Sequence, residues 1–226
     1  DVDKTKPKER KNDDFDFYYI VPEKDSSKSQ CQSISNWKNS FNTRVTESLS
    51  NREALKLVLK NLGETGFQKK DFNHLLIKVD RMVKRFQGPR KQWYQKALSR
   101  AEKYMPMIHD VFNEKRIPLE MAWLALIESG FTYDIKSVVG ARGMWQFMTQ
   151  TAKEYGLKVS RKVDQRIDPY RATKAARDYL LDRVAVYGSD SFLLVAASYN
   201  AGEGRISRSL RKLEDPFAQR NFIGVS

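Results

Sequence analysis

The chain is poor in the residues that staple or anchor a protein. Among 226 residues there is one cysteine, Cys31, so no internal disulfide can form and the core must hold by packing. There are two histidines, His74 and His109, far apart in sequence. No His/Cys/Asp set has metal-ligand spacing, so neither metal nor cofactor is expected. No run approaches the roughly 18 consecutive apolar residues of a membrane span. Phosphate-cradling glycine loops followed by lysine are absent as well, which excludes the common nucleotide-binding signature.

What is present points to a folded, basic protein. Hydrophobic residues make up 40% and aromatics 12%, too many for a disordered chain. Lysine and arginine number 41 against 28 acidic residues, a formal net charge of +13. Such a surface suits a polyanion: nucleic acid, anionic lipid or an acidic wall polymer. No nucleic-acid recognition motif accompanies it, so no nucleic acid is expected as partner. The chain opens at a polar Asp1 with no signal peptide in view. It is expected to be a bacterial periplasmic or secreted protein whose leader has been removed.

The pattern divides into three parts. Residues 1–44 read as a partly flexible arm, with a β-prone patch at Phe15–Val21 and Cys31 in a polar loop. Residues 45–99 read as a basic helical extension. Leu55, Val58, Leu59 and Leu62 recur at helical spacing and Gly63 stops them. A second helix spans about 69–86, and a third runs from about Arg90 to Lys115. The cluster Lys78, Arg81, Lys84 and Arg85 falls largely along one side of the second helix, a candidate contact for an anionic polymer. Residues 100–226 carry clearer punctuation. Helices are predicted from Pro118 to Glu128, from Met144 to Tyr155, from Asp168-Pro169 to Tyr187, and from Asp190 to Ala201. Short strands are possible near 157–163. The fold class is mainly α.

One carboxylate stands out. Met121 to Ile127 is uncharged and mostly bulky, so this helix is expected to be buried. Glu128 follows on the face of Met121 and Leu124. Burial there would favour the protonated carboxyl, the form a general acid needs. Downstream, the small residues Ser137, Gly140, Ala141 and Gly143 allow close backbone approach ahead of Met144, Trp145 and Gln146. Farther on, Tyr199 and Asn200 sit at the end of a helix of small residues. Ser137 has no histidine nearby and is not a triad nucleophile.

The order E-S-x-F, S-x-x-G-A-x-G-x-W-Q-F-M-x-x-T-A and A-x-Y-N-A-G-E-G-R resembles the family-1 lytic transglycosylases, which share the goose-type lysozyme fold. Tyr104-Met-Pro-Met-Ile, Pro118-Leu-Glu and Asp164-Gln-Arg-Ile-Asp-Pro-Tyr look like the family's flanking segments, so the likeness covers about residues 100–207. The resemblance implies a lysozyme-like catalytic domain that cleaves the β-1,4 bond between N-acetylmuramic acid and N-acetylglucosamine in peptidoglycan glycan strands. Glu128 would be the acid and base. Ser137 would orient it, and Tyr199 would face it and steady developing charge. Met144, Trp145, Gln146, Asn200 and Tyr133 would contact the glycan.

The chain departs from the family at Tyr133 and Ile135, where proline and alanine are usual. Its final residues, Asn221–Ser226, do not show the family's second groove tyrosine, so the expectation is either a sequence cut short at this end or a groove wall supplied by the extension. Glycosidases that pair two carboxylates need a second acid. Asp134 is a weak candidate, and a single acid fits the family's anhydro-forming route. Hydrolysis of a modified, de-N-acetylated wall and a non-catalytic wall-binding module are the alternatives. The enzyme is expected to act as a monomer.

Overall fold

The computed structural model describes residues 49–64, 68–188 and 191–212. The expected N-terminal arm, the Phe15–Val21 patch, Cys31 and the residues at 221–226 lie outside that range.

The first helix, α1 (Asn51–Asn61), begins with a reciprocal cap. Ser50 Oγ accepts from Glu53 N, and Glu53 Oε2 accepts from Ser50 N. Its apolar stripe, Leu55, Val58 and Leu59, is buried together with Leu62. Helix α2 (Lys69–Gln87) lies beside it, tied by Asn51 Nδ2 to Asp80 Oδ1 at 2.8 Å and Arg52 to Asn73 Oδ1 at 3.1 Å. Only Leu75 of α2 is fully buried; the rest of its stripe is half-covered. At its far end Phe86 stacks on Trp93 and Tyr94 of the next helix.

Helix α3 (Lys91–Asn113) is the spine of the molecule. Ala97, Ala101, Tyr104, Met105, Ile108, Val111 and Phe112 recur at steps of three and four and are all buried. A helix predicted from Pro118 is present but begins as a 3₁₀ segment, Leu119–Trp123, before becoming α4 (Leu124–Ser129). After α5 (Thr149–Glu154), a short 3₁₀ turn at Gln165–Ile167 leads into α6 (Pro169–Tyr187). Asp168 caps α6, accepting from Arg171 N at 2.9 Å, and Pro169 takes the first position, where its missing N–H costs nothing. Ala172, Ala175 and Ala176 let α6 pack closely along α3. Helix α7 (Phe192–Ala201) is buried on all sides through Ser198, and α8 (Glu203–Leu210) folds back on it.

Two expectations are corrected. The helix predicted from Met144 starts only at Thr149, because residues 142–148 form a tight turn with positive φ at Gly143 and Gln146. Near 157–163 there is one isolated bridge, Val159 to Asp164, and no strand occurs among the described residues. Gly202 ends α7 after Ala201, as expected, and α8, which had no counterpart in the sequence reading, begins directly after it.

The division at 99/100 falls inside the unbroken helix α3. Leu55, Val58, Leu59, Leu62 and Leu75 belong to the same buried cluster as Leu126, Trp145 and Leu194. The extension is therefore part of one core. Leu62→Ala removes a side chain that is 1% exposed. We expect a loss of about 2–5 kcal/mol, or a fall in Tm of roughly 5–15 °C, by scanning calorimetry. A change under about 2 °C would make the extension an appendage.

Candidate active site

The site is built where three buried segments meet. Helix α4 ends in a Schellman turn, with Phe131 N donating to Ala125 O and Gly130 N to Leu126 O. Gly130 and Phe131 both have positive φ, near 57° and 58°. For phenylalanine that conformation is strained, and it persists because the ring is fully buried edge-on against Trp123. The reversal leaves Glu128 half-buried on the last turn and directs the next residue, Ser129, inward. Ser129 Oγ lies 2.8 Å from Met144 O and 3.1 Å from Ala125 O, and it accepts from Thr132 N at 3.1 Å. Sequence reasoning missed Ser129. Its signal was a small hydroxyl beside the candidate acid at a helix end.

The 137–147 segment is a folded loop pinned from below. Ser137 Oγ accepts from Ala141 N at 2.9 Å, and Ser137 N donates to Ala141 O. Ser137 thus closes this turn with its oxygen. Arg166, 6% exposed, threads beneath, donating to Gly140 O and Phe147 O while Asp164 holds its other nitrogens. Gly143, with φ near 84°, passes so close that a Cβ would lie 1.8 Å from Arg166 O. Gln146 takes φ near 50°, and its Nε2 donates to Gly143 O at 2.8 Å. Arg166 was quoted in a flanking motif, but nothing in its spacing revealed that it would be buried under the loop.

Tyr199 arrives from α7. Its hydroxyl donates to Trp145 O at 2.6 Å, and its ring packs against Tyr179 and Phe147. Its phenol is raised well above the ordinary tyrosine value, first by burial and then by the charge of Glu128. The two residues therefore share one electrostatic environment, although 71 positions separate them. Asn200 follows Tyr199 and is half-buried.

The expected contact residues separate into two layers. Glu128, Ser137, Gln146, Tyr199 and Asn200 are partly accessible, and Tyr133 is exposed. Met144 and Trp145 are 1% and 0% exposed. Trp145 Nε1 donates to Thr173 Oγ1 at 3.0 Å, and its ring packs on Phe112. These two side chains are floor, not wall; what they present to the site is their backbone carbonyls. A tryptophan in a motif reads as a sugar platform, but here α3 and α6 leave a cavity of its size in the core. The loop after Glu128 does present apolar surface, through Tyr133, Ile135, Val138 and Val139. Among the described residues no group of three metal-ligating side chains converges.

Residues 109–221, half of the chain, match the family model described as Transglycosylase SLT domain. The chain belongs to this family. It is 33% identical over 121 residues to Membrane-bound lytic murein transglycosylase D of Escherichia coli (strain K12), covering 54% of this chain and 26% of that protein. It is 31% identical over 123 residues to the Putative tributyltin chloride resistance protein of Alteromonas sp. (strain M-1), covering 54% and 58%. Over 108 residues it is 40% identical to Peptidoglycan transglycosylase gp16 of Escherichia phage T7, covering 47% and 8%. The chain thus spans about a quarter of the length of the transglycosylase D relative.

Two predictions follow from this geometry. Gly143→Ala combines a strained φ with a backbone collision, so we expect at least ~3 kcal/mol of destabilisation by denaturant melting. At Gly140, φ is near 89° but a Cβ meets nothing within 4 Å, so Gly140→Ala should cost only about 1–2 kcal/mol. Equal effects would contradict the close approach at Arg166.

The second concerns alkali. Burial pushes Tyr94, Tyr155 and Tyr179 up to about 12. In the unfolded chain these phenols ionise near 10, while the fold keeps them neutral. The unfolded state then binds fewer protons, so stability holds below pH 10 and falls as pH rises towards 12. Phenolate absorbance should show a delayed set that ionises with unfolding; a single transition near 10 would contradict the burial.

Proposed function

We propose that this chain cleaves peptidoglycan glycan strands at the β-1,4 bond between N-acetylmuramic acid and N-acetylglucosamine, with Glu128 as the general acid and base. The observation that carries the reading is that the charge of Glu128 acts on the Tyr199 phenol, in a chain of the SLT family. Relatives named as murein and peptidoglycan transglycosylases support the substrate.

The chemistry follows from one carboxyl. Protonated Glu128 gives its proton to the glycosidic oxygen, and the bond from C1 to that oxygen breaks. Positive charge develops at C1, and the substrate's own acetamido oxygen closes on it. The Glu128 carboxylate then takes the proton of the sugar's 6-hydroxyl as the 6-oxygen attacks C1 and the bond from C1 to the acetamido oxygen breaks, restoring the acetamido group and leaving a 1,6-anhydro end and a protonated Glu128. Tyr199, neutral and fixed through Trp145 O, places its phenolic oxygen beside the developing charge. Asp134 is a poor second acid. It is exposed, and its charge acts on Tyr104 of α3. This favours the one-carboxylate route over two-carboxylate hydrolysis.

The partly accessible Gln146 and Asn200 offer amides to sugar hydroxyls, and Tyr133 offers a ring face. Ser137, whose oxygen is used in the loop turn, keeps a hydroxyl proton to donate towards Glu128. The positive surface, including exposed Arg81 and Lys84, meets the carboxylates of the wall's peptide stems rather than nucleic acid. The place of action is the periplasm or the cell exterior, and the chain acts as a monomer. No helix among the described residues is long and apolar enough to cross a membrane.

The test is digestion of purified wall with products weighed by mass spectrometry. Anhydro ends, one water lighter than hydrolysed ends, are expected. Glu128→Gln should lower the rate by roughly 10²–10⁴-fold with an unchanged melting curve. Activity within about twofold of the parent would remove Glu128 from the chemistry.

A further inference from the structure

The turn that closes α1 touches both halves of the site from behind. Asn61 Nδ2 donates to Glu120 Oε1 at 3.0 Å. Glu120 is 6% exposed and lies in the 3₁₀ segment that runs directly into α4 and Glu128. Three residues after Asn61, Glu64 Oε1 accepts from Leu193 N at 2.7 Å. Leu193 is in the first turn of α7, whose last turn carries Tyr199 and Asn200. We propose that Asn61 and Glu64 form a positioning brace that sets the separation of Glu128 and Tyr199.

The turn is rigid enough for this. Leu62 is 1% exposed, and Gly63 takes φ near 70°. Gly63 N donates to Lys60 O and Glu64 N to Leu59 O, the closing bonds of a left-handed helix end. Both anchors are therefore carried on backbone fixed by α1 and by a buried leucine.

The contact at α7 also fills a gap that α7 leaves. Ser191 precedes that helix but makes no side-chain cap. Glu64, 129 residues upstream, supplies a carboxylate to the unpaired N–H at the positive end of the helix. At 9% exposed it is shielded from water, so loss of this acceptor leaves a backbone donor without a partner. Helix α7 is short and apolar. Tyr199 sits six residues on, about 9 Å along the axis. A tilt at Leu193 is thus transmitted to the phenol. Misplacing a catalytic group by ~1 Å can cost up to about 10²-fold in rate.

Asn61 and Glu64 precede residue 109, where the family match begins. The brace belongs to this chain's extension and not to the matched domain. It rests on the functional reading above only for its kinetic readout.

Four variants test it: Glu64→Ala, Glu64→Gln, Tyr199→Phe, and the Glu64→Ala/Tyr199→Phe pair. With soluble wall fragments, Glu64→Ala should lower kcat on the order of tenfold, with KM within about twofold. Glu64→Gln, whose amide oxygen still accepts from Leu193 N, should recover most of that loss. If Glu64 acts through Tyr199, the double variant will be no slower than Tyr199→Phe alone. Amide exchange should quicken at the start of α7 in Glu64→Ala while α3 and α6 keep their protection. Should Glu64→Ala not fold, Glu64→Asp, one methylene too short, carries the same comparison. Additive losses, or unchanged exchange at α7, would overturn the brace. If the parent chain released no wall fragments, the functional reading would fall, and exchange at α7 would still decide the brace.

Discussion

Two neighbouring carbonyl oxygens, those of Met144 and Trp145, hold the site together. Met144 O receives the hydroxyl of Ser129, beside Glu128 on α4. Trp145 O receives the hydroxyl of Tyr199, on α7. A single stretch of backbone thus holds Ser129, the neighbour of Glu128, from one side and Tyr199 from the other. That stretch is itself fixed by the buried Trp145 ring, by its bond to Thr173, and by Arg166 under Phe147 and Gly140. Each such bond contributes only about 1 kcal/mol net, yet a buried acceptor left unpaired costs about 1–3 kcal/mol. The arrangement therefore resists partial loosening. Positive φ at Phe131 and Gln146 is tolerated because the packing around both leaves no alternative.

The extension contributes to the same body. Its apolar residues enter the shared core, and the turn that closes α1 reaches α7 and the 3₁₀ segment before α4. Part of the positive charge lies outside this framework, on exposed side chains of α2 and the first half of α3 such as Lys69, Lys70, Arg81, Lys84, Lys91 and Lys96. Packing and charge in the extension are thus separable, one serving the site from behind and the other the surface.

Much of the helical order was legible in the sequence because it rests on local rules. Leu55 to Leu62, the 69–86 stripe and Asp168-Pro169 each announce an element by spacing or cap, and α1, α2 and α6 follow. The turn at 142–148 was not legible as a turn, because Gln146 adopts positive φ without being glycine or asparagine, under tertiary constraint from Arg166 and Ile135. The burial of the Met144 and Trp145 side chains was not legible for a related reason. A motif gives residue order but not which way each side chain turns, and here the side chains go to the core while the carbonyls accept from Ser129 and Tyr199. Ser129 and Glu64 were invisible because their partners lie 15 and 129 positions away.

The central claim is that the charge of Glu128 reaches the neutral phenol of Tyr199. It is tested most directly by following the ring carbon of Tyr199 that bears the hydroxyl, in a ¹³C-tyrosine-labelled chain, by NMR. Between about pH 3 and pH 8 that carbon should report the ionisation of Glu128, although the phenol itself stays neutral throughout. The inflection should vanish in Glu128→Gln. A resonance that is flat across this range in the parent chain, or an inflection that survives in Glu128→Gln, would contradict the account.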